Sequence, residues 1–158
     1  MQILVFSDSH GMVSNMKAVI LSHPKIEYII HLGDYGTDVN EIAAENPTYI
    51  IDAVQGNCDK KKQYPMEKVL QLVGKRILIT HGHSYGVKYS FTSIIAKGLQ
   101  DKIDVVLFGH THEPLIQSME GILFVNPGSI SKPKAVSNAT FAILEINKDG
   151  IQANIRKA

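Results

Sequence analysis

Residues 3–10 of the chain are ILVFSDSH, four apolar residues followed by a polar turn that contains Asp8 and His10. The apolar part is short and partly β-branched, which predicts a strand buried on both faces of a sheet. Similar apolar stretches are Tyr28 to Ile30, Tyr49 to Val54, Ile77 to Ile79, Val105 to Phe108 and Ile122 to Val125. Because strands of this kind are covered on both sides, the pattern predicts an α/β fold.

Helical and hairpin patterns separate these strands. Helices are predicted at Met16 to Leu21, capped by Ser14 or Asn15, at Val39 to Glu45, capped by Thr37 or Asp38, and at Lys88 to Gln100. Hairpin turns are predicted at Gly74-Lys75, Glu120-Gly121 and Asn147 to Gly150. The sequence therefore predicts two mixed β-sheets packed together, with helices on the outside.

Length and composition exclude several classes of protein. The chain has 158 residues, 44% of them hydrophobic, which predicts a single globular domain over residues 1–158. A net charge of +1 gives no sign of a nucleic-acid or anionic-membrane partner, and no apolar run approaches the ~18 residues of a membrane span. Cys58 is the single cysteine and no signal-peptide pattern is found, so we expect a cytoplasmic protein.

A polar loop follows each of the predicted central strands. Because ligands bind outside the carboxyl ends of strands in α/β sheets, we expect these loops to converge. Extended Asp-x-His and His-x-His segments would point both side chains the same way, and Gly33 and Gly82 would let the backbone approach a charged centre. The loops are Asp8-Ser9-His10, Gly33-Asp34, Gly56-Asn57-Cys58-Asp59, His81-Gly82-His83, Gly109-His110-Thr111-His112 and Asn126-Pro127-Gly128-Ser129.

Seven side chains in these loops are candidate metal ligands. Imidazole, carboxylate and amide oxygen without thiolate favour Mn²⁺, Fe, Zn²⁺ or Ni²⁺ over Ca²⁺. Seven donors are too many for one tetrahedral site and suit two ions that share a bridging ligand. The alternative is that each motif is an ordinary hydrogen-bonded polar turn. The candidates are Asp8, His10, Asp34, Asn57, His81, His110 and His112.

Three other histidines have different expected roles. His23 precedes Pro24 and is expected at a helix end, and His31 is expected to serve in packing, with support of a metal ligand as the alternative. His83 lies next to the candidate ligand His81 and is expected to orient a ligand or to contact substrate.

The ordered motifs Asp-x-His, Gly-Asp, Gly-Asn-x-Asp, His-Gly-His, Gly-His-Thr-His and Asn-Pro-Gly-Ser resemble those of the calcineurin-like metallophosphoesterase superfamily, and most closely its small YfcE-type phosphodiesterase branch. The resemblance implies a four-layer α/β/β/α sandwich of two mixed β-sheets flanked by helices. It implies one ion held by Asp8, His10, Asp34 and His112, and a second held by Asp34, Asn57, His81 and His110, with Asp34 as the bridge. Mn²⁺ is the expected ion, with Ni²⁺, Zn²⁺ or Fe as alternatives.

The resemblance also implies an activity, that of a metal-dependent phosphodiesterase acting on a small phosphoester. A hydroxide bridging the two ions would attack phosphorus, with Asp34, Asn57, His81 and His110 as the catalytic set. A phosphomonoesterase or a nucleotide hydrolase with the same centre is the nearest alternative. An alternative of another class is a non-catalytic protein-binding scaffold of the retromer-subunit type. Whether the chain forms a homo-oligomer is left open.

One position departs from the broader superfamily. Cys58 stands where many of its phosphatases have a histidine that assists the leaving group, a task for which a thiol is less suited. Cys58 could otherwise be a small buried apolar residue. Asp59 could contact a ligand or cap the turn, and Lys60-Lys61-Lys62 could attract phosphate or form a solvated face. Residues 126–129 are expected to shape the pocket wall, with Lys134 near the substrate.

Overall fold

The computed structural model describes residues 1–131 and 138–158. The strands in these residues are β1 (Gln2–Phe6), β2 (Tyr28–His31), β3 (Ile50–Ala53), β4 (Glu67–Leu72), β5 (Lys75–Thr80), β6 (Val105–Leu107), β7 (Leu115–Met119), β8 (Ile122–Asn126), β9 (Thr140–Asn147) and β10 (Gly150–Lys157). The helices are α1 (Val13–Ser22), α2 (Val39–Glu45) and α3 (Thr92–Gln100), and 3-10 turns lie at Gly36–Asp38 and His83–Tyr85. Across these described ranges, no helix is both long and apolar enough to span a membrane.

The strands form two five-stranded mixed sheets, as the sequence predicts. The order in the first sheet is β10-β9-β1-β2-β3, in which β1, β2 and β3 run parallel, β9 is antiparallel to β1, and β10 is antiparallel to β9. The order in the second sheet is β4-β5-β6-β8-β7, in which β5, β6 and β8 run parallel between antiparallel outer strands. The polar loops predicted from sequence follow the carboxyl ends of the six parallel strands.

Alternation along β1 shows how the layers pack. Ile3 and Val5 lie between the two sheets, whereas Leu4 and Phe6 pack on the opposite face with residues of α1 and α2. Successive side chains of a strand point to opposite faces, so a strand of continuous apolar residues serves two cores at once. The second sheet packs against α3 on its outer face in the same way. The result is the expected α/β/β/α order of layers.

The predicted helix caps are wrong, and for Asn15 and Asp38 the reason is that tertiary contacts use the side chain. Helix α1 begins at Val13 without a side-chain cap, and Asn15 lies inside it with its amide donating to the carbonyl of Ile130 over 2.9 Å. Asp38 precedes α2, but its carboxylate accepts hydrogen bonds from the Ser9 hydroxyl and the Gly11 N–H instead of capping the helix.

Two further boundaries differ from the predictions. Helix α3 begins at Thr92, so residues 88–91 form a loop ahead of it, which follows a left-handed Gly86 at φ +64°. The β4–β5 turn is at Val73 and Gly74, one residue earlier than predicted, because Leu72 pairs with Lys75 and both turn residues have positive φ. That combination is the backbone requirement of a type I′ hairpin turn.

Candidate metal centre

Four of the predicted ligands form one compact group at the carboxyl ends of the strands. Potential ligand atoms of Asp8, His10, Asp34 and His112 all lie within 4.8 Å of one another. His112 Nε2 is 3.0 Å from Asp8 Oδ1, and His10 Nε2 is 3.8 Å from Asp34 Oδ2. These four residues are the set predicted for the first ion.

The second predicted set is only partly brought together. His81 Nε2 lies 3.4 Å from Asp34 Oδ1, and the ring centroids of His81 and His110 are 5.0 Å apart. Asn57 is exposed, and its amide nitrogen lies 3.4 Å from Cys58 Sγ. Among the described residues, no hydrogen bond joins the Asn57 side chain to the other candidates. Asp34 therefore connects the first group to His81, whose ring packs beside that of His110.

The backbone of the candidate ligands is strained in the same way at five positions. Positive φ is uncommon outside glycine, and such strain clusters at functional sites, where the surrounding structure must hold it. The sequence argument assumed extended Asp-x-His and His-x-His segments, and this assumption is wrong because both partners of each pair are left-handed. The residues are Asp8 (φ +55°), His10 (+45°), Asp34 (+55°), His110 (+66°) and His112 (+61°).

Two glycines allow the loops to approach the carboxylates. A Cβ on Gly56 would lie 2.2 Å from Asp34 Oδ1, and one on Gly109 would lie 1.9 Å from Ser7 Oγ and 2.9 Å from Asp8 Oδ2. Gly33 and Gly82, which the sequence argument favoured for this role, face the Gly56 backbone and the Val87 side chain. The loops that follow β3 and β6 therefore make the close approach to the carboxylates of Asp34 and Asp8.

The carboxylate of Asp8 is buried but held in its ionised form. Its Oδ2 accepts hydrogen bonds from the Ser7 hydroxyl at 2.5 Å and the His110 N–H at 3.2 Å. Burial acts to raise the pKa of Asp8, but the hydrogen bond with His112, the electrostatic interaction with His81 and the Ser7 hydroxyl together lower it. An ionised buried carboxylate beside several imidazoles is a suitable ligand for a divalent cation.

One ring nitrogen of His81 is fixed by a hydrogen bond, and the other is available to bind a metal ion. Its ring is fully buried, and Nδ1 lies 2.8 Å from the carbonyl oxygen of Leu32, so Nδ1 donates to it. Such a bond fixes the tautomer that presents Nε2 to a metal. Among the described residues, this buried Nε2 has no hydrogen-bond partner. An unsatisfied buried acceptor beside Asp34 is costly in the metal-free protein and fits a site that binds a cation.

His110 is also held in the form that binds metals. Burial, with the electrostatic effects of His81 and Lys88, lowers the pKa of His110 to about 4. The imidazole is therefore neutral at pH 7 and keeps a lone pair for a metal ion. His83 is half-buried nearby, with its ring centroid 5.4 Å from that of His81 and 6.1 Å from that of His110.

A buried chain of hydrogen bonds supports the loop that contains Asp8 and His10. His31 accepts from the Gly33 N–H at Nδ1, so its Nε2 donates to the Ser9 hydroxyl over 2.9 Å. The Ser9 hydroxyl in turn donates to Asp38 over 2.7 Å. The hydrogen bonds of His31 match the alternative of a supporting role, whereas packing was the favoured expectation. The position of Ser9 between two candidate ligands was the available signal.

The Asn126-Pro127-Gly128-Ser129 loop contacts the loops that carry the candidate ligands Asp8, His110 and His112. The Asn126 amide donates to the Gly109 carbonyl and to Thr111 Oγ1, at 2.8 and 3.0 Å. The Ser129 and Ser131 hydroxyls donate to the backbone carbonyl of Asp8, at 3.0 and 2.8 Å. Asn126 and Ser129 are fully buried, so the described contacts hold ligand loops in place rather than form an exposed pocket wall. Lys134 lies outside the described residues.

The loop after β3 contains Asp59 and Cys58, for each of which the sequence left two roles open. Asp59 caps the turn, accepting from the N–H groups of Gly36 and Gly56 at 2.9 and 2.7 Å. Cys58 is exposed, so the alternative that it is a small buried apolar residue is wrong. Partial desolvation, with the carboxylates of Asp34, Asp8 and Asp59, raises the pKa of the Cys58 thiol to about 11, which keeps it protonated at neutral pH.

The remaining histidine, His23, has the expected structural role. It is the C-cap residue of α1, and its Nδ1 lies 2.9 Å from the Val19 carbonyl.

Comparison with known proteins identifies relatives over nearly the whole chain. A sequence model described as the calcineurin-like phosphoesterase superfamily domain matches residues 1–149. The probable metallophosphoesterase YsnB of Bacillus subtilis is 32% identical over 150 residues, covering 94% of this chain and 86% of the relative. The phosphodiesterase YfcE of Escherichia coli is 26% identical over 174 residues, covering 92% and 88%.

Solved structures give the same architecture. A predicted phosphoesterase from Streptococcus pneumoniae has a TM-score of 0.82 and 30% identity, covering 99% of this chain and 88% of its own. Vps29 from Entamoeba histolytica, solved in complex with Zn²⁺, has a TM-score of 0.77 and covers 99% of both chains. Its identity of 20% shows a shared fold and nothing more.

Proposed function

Because the chain belongs to the calcineurin-like phosphoesterase superfamily, we propose that it is a metal-dependent phosphodiesterase that hydrolyses a small phosphoester at two divalent ions. The observation that carries the proposal is the position of Asp34. One carboxylate oxygen lies 3.8 Å from His10 Nε2 and the other lies 3.4 Å from His81 Nε2. A carboxylate with a separate imidazole beside each oxygen is suited to bridge two cations.

The ligand sets follow from this placement. Asp8, His10, Asp34 and His112 would hold one ion, and their mutual proximity supports this assignment. Asp34, His81 and His110 would hold the other, with the side-chain oxygen of Asn57 as a further ligand. Asn57 would reach the second ion by turning its side chain away from Cys58. Mn²⁺ is the proposed ion, and Ni²⁺, Zn²⁺ or Fe suits the same donors.

The reaction is a hydrolysis at phosphorus. When bound, the two ions would supply a hydroxide at neutral pH and positive charge opposite the phosphoryl oxygens. The oxygen of water forms a bond to phosphorus, and the P–O bond to one ester group breaks with its electron pair on the departing oxygen. That oxygen takes up a proton, so a diester gives a monoester and an alcohol.

The chain's own residues prepare the centre for this chemistry. The Leu32 carbonyl holds His81 in one tautomer, and Ser7 and the His110 N–H hold Asp8 through Oδ2, leaving Oδ1 to face the ion site. Positions fixed before substrate binds reduce the reorganisation needed in the transition state. The protonated thiol of Cys58 is a weaker proton donor than a histidine, which favours diesters or good leaving groups.

Two alternatives remain. A phosphomonoesterase or nucleotide hydrolase would use the same centre and differ in the ester it accepts. A non-catalytic protein-binding scaffold would share the fold and need no metal chemistry. The names of the homologous proteins and the presence of all the predicted ligand types favour the enzyme.

A direct assay tests the proposal. The purified protein is treated with a chelator, and hydrolysis of bis-p-nitrophenyl phosphate and p-nitrophenyl phosphate is measured before and after Mn²⁺, Ni²⁺ or Zn²⁺ is added. We expect metal-restored hydrolysis with the diester preferred, and loss of activity in Asp34→Ala. Asp149→Ala, at an exposed acid in the β9–β10 turn, is the matched control. Inactivity with every metal would support the scaffold, and preference for the monoester would support the phosphomonoesterase.

A further inference from the structure

A cavity lies beside the loop between β6 and β7, which carries the candidate ligands His110 and His112. It has a volume of about 440 Å³ and lies between residues 87–91 and residues 108–115. We call it the Tyr89 cavity. Thr111, which lies between His110 and His112 in the sequence, forms part of its wall, as does Lys88. The cavity therefore lies beside the loop that carries these two candidate ligands.

The surface of this cavity suits a planar apolar group. The half-buried Phe91 lines it, and the fully buried Phe108 packs edge-to-face against Phe91, with ring centroids 5.5 Å apart. Tyr89 also lines it and is 94% exposed, so nearly the whole ring is open to a ligand. Aromatic rings in such positions gain both buried area and specific ring contacts when another ring packs on them. Lys88 and Glu113 in the cavity wall have opposite charges, so together they contribute no net charge to the cavity.

A second cavity, of about 330 Å³, reaches the centre from the Asp34 side. Tyr35, which follows Asp34 in sequence, lines this cavity. Cys58, whose backbone N–H donates to Asp34, also lines it, as do Lys60 and Lys61. The carboxylate of Asp59 also lies in this wall, but two backbone N–H groups engage it. The second cavity is therefore the more basic of the two, and a departing oxyanion is better stabilised there than beside Phe91 and Phe108.

On the basis of the proposed phosphodiesterase function, we propose that the Tyr89 cavity binds the ester group that stays bonded to phosphorus, and that this group is planar and apolar, such as an aromatic ring. The leaving oxygen then faces the basic cavity. A phosphomonoester has no retained ester group and leaves the Tyr89 cavity empty. The cavity thus accounts for a preference for diesters by binding, separately from any effect of Cys58 on the leaving group.

Two substrates with the same leaving group test this assignment. Phenyl p-nitrophenyl phosphate and methyl p-nitrophenyl phosphate both release p-nitrophenolate and differ in the retained group. The ratio of their kcat/KM values is measured for the Mn²⁺-loaded protein. We expect Tyr89→Ala to lower the phenyl-to-methyl ratio about fivefold to tenfold, mainly through KM, since a buried aromatic contact is worth ~1 kcal/mol or more. Leu99→Ala, at an exposed apolar residue of α3, should keep the wild-type ratio.

A binding measurement separates this proposal from the proposed function. Diphenyl phosphate is titrated into the chelator-treated protein, and backbone amide shifts are followed by NMR. We expect saturable shifts at Tyr89 and Phe91, and weaker binding by Tyr89→Ala. An unchanged kinetic ratio in Tyr89→Ala, or shifts that leave residues 87–91 unaffected, would overturn the assignment. If the wild type hydrolyses neither ester, the phosphodiesterase proposal fails, and the NMR titration still decides whether the cavity binds an aryl phosphate.

Discussion

The backbone N–H of Cys58 donates to Oδ1 of Asp34 over 2.8 Å, and the same oxygen lies 3.4 Å from His81 Nε2. The loop after β3 therefore holds the central carboxylate through its main chain. Because the thiol takes no part in this hydrogen bond, the side chain at position 58 can be replaced while the main-chain contact to Asp34 is kept.

We predict that Cys58→His raises turnover on diesters with poor leaving groups. A histidine titrates near neutral pH and can deliver a proton to the departing oxygen, whereas the thiol is held protonated. We expect kcat for a dialkyl or alkyl aryl diester to rise about tenfold, with little change for bis-p-nitrophenyl phosphate. Cys58→Ser is the matched control. Unchanged or lower rates on the poorer leaving groups would contradict the prediction.

We predict that the metal content changes stepwise with the ligand removed. The wild type should bind about two Mn²⁺ per chain, and His81→Ala and His112→Ala should each bind about one, because each removes a ligand of a different ion. Elemental analysis after dialysis measures the content. His23→Ala, a change at the end of α1, should keep the wild-type value. A wild type that binds a single ion would rule out the dinuclear centre.

We predict that Gly56→Ala weakens both metal binding and the fold. The added methyl group would lie 2.2 Å from Asp34 Oδ1 and 2.4 Å from the Asp34 nitrogen, so the β2 and β3 loops must separate. Overpacking of this kind costs about 1–3 kcal/mol of unfolding free energy. Urea denaturation and Mn²⁺ titration calorimetry measure the two effects. Gly150→Ala meets no atom within 4 Å and is the control. Wild-type Mn²⁺ affinity in Gly56→Ala would show that this approach is not needed.

We predict that the metal-free protein loses stability as the pH falls below neutrality. Burial lowers the pKa of His31 from 6.5 to about 4. Between these values the unfolded chain takes up a proton that the folded chain does not, so the free energy of unfolding falls with pH by up to ~1.4 kcal/mol per unit. Urea denaturation at pH 7, 6 and 5 should show a smaller pH dependence for His31→Gln. Part of the dependence should remain, because His110 is shifted in the same direction. Parallel curves for the two proteins would contradict the assignment to His31.

The sequence predicted the strands and their polar ends well because both depend on local pattern. Residues 3–10 show the buried strand and the ligand turn together, and the structure places Asp8 and His10 in one cluster with Asp34 and His112. The family motifs predicted the same grouping. The left-handed backbone of Asp8 and His10 has no signal in the local pattern, and contacts that hold this loop, such as the Ser131 hydroxyl on the Asp8 carbonyl, come from residues remote in sequence.

The errors have a common physical origin in contacts that are remote in sequence. Asp38 is a residue type that commonly caps helices. Its carboxylate instead accepts hydrogen bonds from Ser9 and Gly11, which lie 29 and 27 residues away in the sequence. Residues 88–91 continue the apolar pattern of α3, yet they form a loop and line the Tyr89 cavity. Local propensity could predict neither outcome, because each depends on a partner from another part of the fold.

The ligands come from both sheets, and the contacts that hold them cross from one sheet to the other. The His110 N–H bonds Asp8 across 102 residues of sequence, and His81 bonds the Leu32 carbonyl across 49. Neither sheet alone contains a complete ion site, so ions shared between them would act as a non-covalent cross-link. Denaturation should then release metal and lose tertiary structure at one midpoint, which makes bound metal a direct reporter of whether the two halves of the chain are assembled.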